Sequence, residues 1–372
     1  MTTDTGTLPP ATASQDGAPS RAQRVDFGHR VLVLRRGGFA LRWQTRSLLV
    51  CAVLAVLTFT VTVWALATGS YPLSPLDVLL ALIDHPDAGF GRIVVVQWRL
   101  PRALAAVVFG AALGVSGAVF QSLTRNPLAS PDIIGFSTGS HTGALIVIIA
   151  LGGNYLQVAA GALVGGVATA AVVYLLAWQR GVRGFRLIII GIGVAAMLGS
   201  VNTWLLLKAE LEVALSAAAW GIGTLSGITW PTTLVAGAVI VVLLLALSTL
   251  GPSLRQLELG DDAAKATGVR AEPIRLTAIV TGIALIATVT AAAGPISFVA
   301  LAAPQIARRL ARTPGVTLAP AAAMGALMLA TADHIAQNLL PQSVPVGVVT
   351  VVIGGSYLVW VIVAEVRRRS RT

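Results

Sequence analysis

Residues 97–132 read QWRLPRALAAVVFGAALGVSGAVFQSLTRNPLASPD. From Ala103 to Thr124 this stretch carries no ionisable side chain. A helix rises about 1.5 Å per residue, so roughly 20 apolar residues cross a hydrocarbon core of about 30 Å. The run is therefore read as a transmembrane helix over 102–123, with Arg-Leu-Pro-Arg at one mouth and Thr-Arg-Asn-Pro at the other. Which mouth faces the cytoplasm decides the topology of the chain.

Outward from this run the pattern repeats. Hydropathy predicts ten spans: 47–68, 102–123, 133–152, 155–178, 187–207, 232–250, 274–293, 295–311, 318–337 and 345–365, the eighth being the shortest. Of the 372 residues, 56% are hydrophobic and 11% charged, whereas a soluble domain carries about 25% charged residues. Most of the chain must then sit in lipid. The expected fold class is an all-α polytopic membrane protein.

The net charge of +11 raises the question of an acidic partner such as nucleic acid. Its placement excludes that: basic residues lie in short loops between apolar runs, and no soluble basic domain exists. The single cysteine, Cys51, rules out a disulfide within the chain and argues against a cysteine-rich metal site. Residues 1–46, opening TTDTGTLPPATASQDGAPS, have no apolar period and are read as a disordered, basic cytoplasmic tail. They are not read as a signal peptide, because the first long apolar run starts near Ser47. Residues 47–368 form the expected transmembrane domain, and 369–372 a short cytoplasmic tail.

Ten spans put both ends of the membrane domain on one side. With that side cytoplasmic, only Arg92, Arg99, Arg102 and Lys208 of the 26 basic residues fall outside. The positive-inside rule therefore predicts cytoplasmic termini in a cell membrane. Two of the four exceptions belong to the opening motif. Arginines can snorkel at a helix start, which explains their tolerance but not their side. A positive pair on the outer face also suits carboxylates, which arginine grips through two hydrogen bonds.

Glycines recur inside the spans. Gly110 and Gly114 are four apart, as are Gly161 and Gly165, the spacing that lets helices approach closely in lipid.

Enzymatic chemistry is not visible. There is no Gly-Lys pair and hence no phosphate-binding loop of the GxxxxGK[ST] type. His29, His85, His141 and His334 lack metal-ligand spacing. No catalytic residue, metal or cofactor is expected. Away from the span ends, the acidic, basic and histidine side chains are His141, Asp333 and His334. Asp333 reads either as a buried, hydrogen-bonded helix residue or as the coupling acid of a proton-driven carrier. The scarcity of protonatable groups favours the former.

Two inner loops stand out. GPSLRQLELGDDAAKATGVRAEPIR (251–275) contains DDAAKATG, a short helix with acids in its first turn and Gly268 as a stop. From the residues alone it fits a helix that docks in a partner's groove and a solvated loop equally. TRNPLASPD (124–132) reads as a structural turn in which Asp132 or Ser130 caps the third span.

These segments together carry a resemblance. WRLPR, GAALGVSGAVFQSLTRNPLASPDIIGFSTGS, LELGDDAAKATGV, AGPISFVALAAPQIARR and VPVGVVTVVIGG resemble, in order, the permease subunits of iron-siderophore and cobalamin importers of the ABC type, the FecCD family. FRLIIIGIGVAAML, NTWLLLKAELE and ELGDDAA resemble the branch that carries ferric enterobactin, a catecholate. The resemblance implies a ten-helix, cobalamin-permease-like fold and a non-enzymatic subunit of an ATP-driven importer of ferric siderophore. It also implies a second permease subunit, a heterodimer or a homodimer, with two cytoplasmic ATPases and an extracytoplasmic siderophore-binding protein. The segment 257–269 resembles the family's coupling segment, so Leu259, Gly260, Asp261, Asp262, Ala263, Ala264, Lys265 and Gly268 would meet the ATPase. Arg99 and Arg102 match arginines that meet the binding protein in the cobalamin permease. The position of a third arginine there falls on Gln337, so the set is incomplete. The family's common PHIAR reads PQIAR, with Gln305 for histidine. Trp204, Trp220 and Phe298 are the candidates for lining the path of a large apolar-faced chelate. The alternatives are a cobalamin or haem permease of the same class, and a proton-coupled carrier working through Asp333, His334 or His141.

Overall fold

The structure is a computed structural model that describes residues 31–36, 39–132, 135–177, 184–313, 315, 317–340 and 342–369. The chain divides into two units, Met1–Thr45 and Arg46–Thr372.

In the first unit, β1 (Val31–Arg36) pairs antiparallel with β2 (Phe39–Gln44), with Val31 opposite Gln44 and Arg36 opposite Phe39. The tail was expected to be disordered to residue 46. Within it, residues 31–36 and 39–44 pair as strands, a run rich in Val, Leu, Phe and Trp. The expectation for residues 1–30 lies outside the described residues.

The second unit is helical. Its elements are α1 (Thr45–Ala67), α2 (Pro75–Leu82), α3 (Gly89–Arg92), a π-helical run Ile93–Arg99, α4 (Leu100–Thr124), α5 (Phe136–Leu151), α6 (Tyr155–Ala177) and α7 (Gly184–Lys208). They continue with α8 (Leu211–Trp220), α9 (Trp230–Glu258), α10 (Asp261–Ala266), α11 (Ala271–Ala293), α12 (Val299–Ala311), α13 (Leu318–Asn338) and α14 (Val346–Arg369). Each of the ten predicted spans appears as a helix. Among the described residues, eight segments are long and apolar enough to cross a membrane.

The other two, α5 and α12, have 16 and 13 residues. The eighth span was expected from residue 295. It starts at Val299 because Gly294 and Phe298 both take left-handed φ values, 73° and 69°, around Pro295. One further difference concerns an end. The sixth span was expected to stop at 250, but α9 continues through Pro252 to Glu258, with Leu254 and Leu257 buried. Part of the expected loop is thus helix, because two buried leucines reward another two turns. The helix α8 falls in what read as an outer loop. The third and fourth spans were drawn over Ile133, Ile134 and Trp178, which lie outside the described residues.

The helix at the centre is α4, buried along most of its length. Its glycines explain why. A Cβ on Gly110 would lie 2.3 Å from the carbonyl oxygen of Gly325, and one on Gly114 would lie 2.2 Å from that of Ala321, both in α13. Backbone therefore packs on backbone, as the four-residue spacing predicts. The same holds for α5 on α6, where a Cβ on Gly165 would meet the Gly139 carbonyl at 2.4 Å. By contrast α1 buries only Leu54, Thr58 and Leu66, which leaves its flanks to lipid. These packings gather the functional candidates at two ends of the bundle.

Candidate functional site

One end is built around the opening motif. The chain enters α4 through the π-helical run, and Pro101 sits in the first turn of α4, where its missing N–H is harmless. Thr233 Oγ1 in α9 donates to the Pro101 carbonyl at 3.1 Å, and Trp230 Nε1 donates to that of Val96 at 2.8 Å. The start of α4 is thereby pinned to the start of α9.

The two arginines are both engaged within the chain. Arg102 Nε donates to Asp333 Oδ2 at 2.9 Å and Nη2 donates to Oδ1 at 2.6 Å, a two-bonded ion pair between α4 and α13. Its side chains are 18% and 9% exposed. Arg99 Nη1 donates to the Leu66 carbonyl and Nη2 to that of Tyr71, each at 2.7 Å. It thus satisfies a carbonyl of the last turn of α1, where the helix dipole favours a cation. Gly69, with φ of 137°, makes room: a Cβ there would lie 2.7 Å from Arg99 Nη2. Gln337, half-buried, follows Asp333 by one turn of α13, so all three docking candidates share this end.

Asp333 is therefore a buried, hydrogen-bonded residue, the reading the sequence favoured. Sequence reasoning missed that its partner is Arg102. The signal was present: an intramembrane acid and an arginine on the unexpected side were both anomalies, and they fell at the same end.

The opposite end carries α10. Gly260, with φ of 123°, turns the chain between α9 and α10. Val269 N–H returns to the Ala264 carbonyl at 2.9 Å, and Thr267 Oγ1 bonds Gln256 Oε1 at 2.7 Å. These bonds tie the end of α10 back onto itself and onto the end of α9. Ala264 is fully buried, whereas Asp262, Ala263, Lys265 and Gly268 are exposed. Leu259, 78% exposed, stands beside them. Sequence reading treated Ala263 and Ala264 alike; the structure separates them into an outward and an inward face. The side chain of Asp261 lies outside the described residues.

Nearby, Asp132 does not cap α5 with its side chain; the N-cap is Gly135, with φ of 83°. The Asp132 carboxylate accepts from Ser137 Oγ instead, and its Oδ2 is buried with no partner among the described residues. Burial pushes this carboxyl up to about 6, against the Ser137 hydrogen bond that lowers it.

The path candidates are spread out. Trp204 is exposed on α7, and Trp220 ends α8 with its ring 6.3 Å from that of His141. Phe298 caps α12 and packs on Gly354 of α14, where a Cβ would lie 2.3 Å from its own. Among the described residues no cluster of His, Cys, Asp or Glu could hold a metal.

Residues 54–364 match the FecCD transport family. The chain is 47% identical over 325 residues to the ferric enterobactin transport system permease protein FepG of Escherichia coli (strain K12), covering 87% of this chain and 98% of that protein. It is 34% identical to the achromobactin transport system permease protein CbrC of Dickeya dadantii (strain 3937), over 90% of this chain and 97% of that one. A solved inward-facing transporter described as of the metal-chelate ABC type superposes with a TM-score of 0.74 at 27% identity, covering 85% of this chain and 99% of that chain.

Proposed function

Because the chain belongs to the FecCD transport family, we propose that it is the membrane permease subunit of an ATP-driven importer that brings a ferric siderophore, a catecholate of the enterobactin kind, into the cytoplasm. The observation that carries this reading is the 47% identity to a ferric enterobactin permease along 98% of that protein. Two copies of the fold, this chain and a related permease, enclose the path. Two cytoplasmic ATPases dock at the α10 end, and an extracytoplasmic binding protein delivers the chelate at the Arg99–Arg102 end. This orientation places 22 of the 26 basic residues on the cytoplasmic side.

The geometry supports a division of labour. At the delivery end the Arg102–Asp333 pair is neutral as a unit, whereas Arg99 is held by neutral carbonyls, so of the two arginines it is Arg99 that offers its charge to a partner. A carboxylate on the binding protein meets Arg99 and Gln337 directly, and reaches Arg102 only by competing with Asp333. At the drive end, exposed Leu259, Ala263 and Lys265 face the ATPase while Ala264 anchors α10 to the bundle. Asp333 held in an ion pair also speaks against a proton-coupled carrier, which would need it free to titrate.

The test is growth. Cells that lack their own ferric-catecholate permease, given this chain with its partner subunits, should grow on ferric enterobactin as sole iron source and not on ferric hydroxamates. Rescue on hydroxamates alone would reassign the cargo, and no rescue on any chelate would reject the importer reading.

A further inference from the structure

If an ATPase moves α10, the end of α9 from which it turns moves with it, and hydrogen bonds carry that displacement to the loop after α4 and on to α12. The helix α4 ends at Arg125 in a left-handed conformation (φ 50°, ψ 32°), its N–H bonding back to Gln121 and Ser122. From that turn Arg125 Nη2 reaches across to the Leu257 carbonyl at 2.9 Å. The same carbonyl accepts from Gly260 N–H at 3.2 Å, the bond that turns the chain into α10. One oxygen thus joins Arg125 to the root of α10.

The far side of the same loop is held as tightly. Gln305 of α12, buried, donates from Nε2 to the Pro127 carbonyl at 2.8 Å and to that of Leu301 at 3.1 Å. Gln121, also buried, donates to the Leu301 carbonyl at 2.9 Å. The loop after α4 is therefore clamped between the end of α9 and the side of α12. Moreover α12 is a 13-residue helix with a left-handed residue at each end, Phe298 (φ 69°) and Arg312 (φ 48°). At its far end Phe298 rests on Gly354 of α14. Pro304 lies inside α12, directly before Gln305, so the helix can tilt between its end turns and bend at the residue beside the Gln305 contact. This also accounts for Gln305: its amide supplies the N–H that Pro127 needs.

We propose that Arg125 and Gln305 are positioning residues that transmit displacement of α10 into α12 and, through Phe298, onto α14. The inference rests on the reading of α10 as the ATPase-docking helix. It makes Arg125 and Gln305 determinants of how much transport each ATP yields, rather than of ATP hydrolysis or cargo binding.

The experiment uses the whole transporter in vesicles, with ferric enterobactin loaded on the binding protein, and reads chelate taken up per ATP hydrolysed. Arg125→Met and Gln305→Leu should assemble with the ATPases and hydrolyse ATP, with uptake per ATP falling roughly tenfold in the first, which loses a charged donor, and about fivefold in the second, which loses a neutral one. Gln305→His keeps an N–H donor and should retain most of the yield; Gln305→Glu keeps the size, loses the donor and should not. Where Arg125→Met fails to assemble, Arg125→Lys, which keeps the charge but not the planar fork, is read in its place and should show a smaller loss. Unchanged uptake per ATP in the assembled variants overturns the inference, as does uptake and hydrolysis falling in parallel. Absence of ATP-driven uptake by the wild-type complex would instead overturn the function on which it rests.

Discussion

Replacing Arg102 by Met leaves the Asp333 carboxylate in a site where its side chain is only 9% exposed, with both of its guanidinium hydrogen bonds gone. Removing one partner of a buried pair costs about 3–5 kcal/mol, because the remaining charge is neither paired nor hydrated. Asp333→Leu should cost less, about 1–3 kcal/mol, because Arg102 stands near the start of its span and its long stem can carry the guanidinium toward water. The double variant Arg102→Met, Asp333→Leu should recover to within about 1 kcal/mol of the parent, since well-packed apolar pairs often replace buried ion pairs without loss. The assay is a double-mutant cycle on the purified permease in detergent, with unfolding followed by loss of helicity. The cycle isolates the pair from the surrounding packing. Two results would refute the reasoning: Arg102→Met costing under about 1 kcal/mol, or the two single losses adding in the double variant. Either would mean that Arg102 is free to face an outside partner, and that the α4–α13 seam stands on its glycines alone.

Other expectations follow from the same contacts. Gly114→Leu should lower thermal stability by about 3 kcal/mol or more, since its Cβ would lie 2.2 Å from a backbone oxygen that cannot withdraw without opening the seam; a melting curve within error of the parent would refute the close packing. Ala263→Trp should leave the permease folded and weaken co-purification of its ATPase, whereas Ala264→Trp should damage the fold itself; equal behaviour of the two would refute the two-faced reading of α10. The Asp132 carboxyl is raised to about 6 by burial, so the folded state binds its proton more tightly than the unfolded chain does. Its contribution is fully present below the ordinary carboxylate value of 3.8, is lost as pH rises toward 6 and stays absent above it. Asp132→Asn should therefore stabilise the protein at neutral pH, by on the order of 3 kcal/mol at most, and remove that part of the pH dependence; a parallel pH profile in the variant would count against it.

The spans were legible because lipid imposes a length and an apolar composition on each one, and those are local properties of the chain. The glycine seams were legible for the same reason: small residues four apart mean close approach whatever the neighbour is. The ends were harder to read. A proline at 252 resembles a stop, yet α9 runs past it because Leu254 and Leu257 find burial beneath α10. The eighth span resembles a full crossing, yet its first residues form an extended turn at Gly294–Phe298. Neither outcome is written in a window of neighbouring residues.

The candidate sites divide in the same way. Spacing and composition placed a small helix in the inner loop, but could not say that Ala264 faces in and Ala263 out, which depends on where α9 and α11 lie. The arginine motif was visible as a charge anomaly. Its partner lies 231 residues away along the chain, a distance that periodicity does not bridge, although two anomalies of opposite sign at one end were a usable clue. The substitution at Gln305 made sense only once the Pro127 carbonyl was found beside it.

The most direct test of the central claim is ATP-driven uptake by vesicles that contain this permease, its partner permease and the ATPases, with the binding protein and radioactive ferric enterobactin on the outer face. The account predicts uptake that needs ATP, persists when the proton gradient is collapsed, and stops when the ATPase cannot hydrolyse. Uptake that follows the proton gradient and ignores ATP would contradict it.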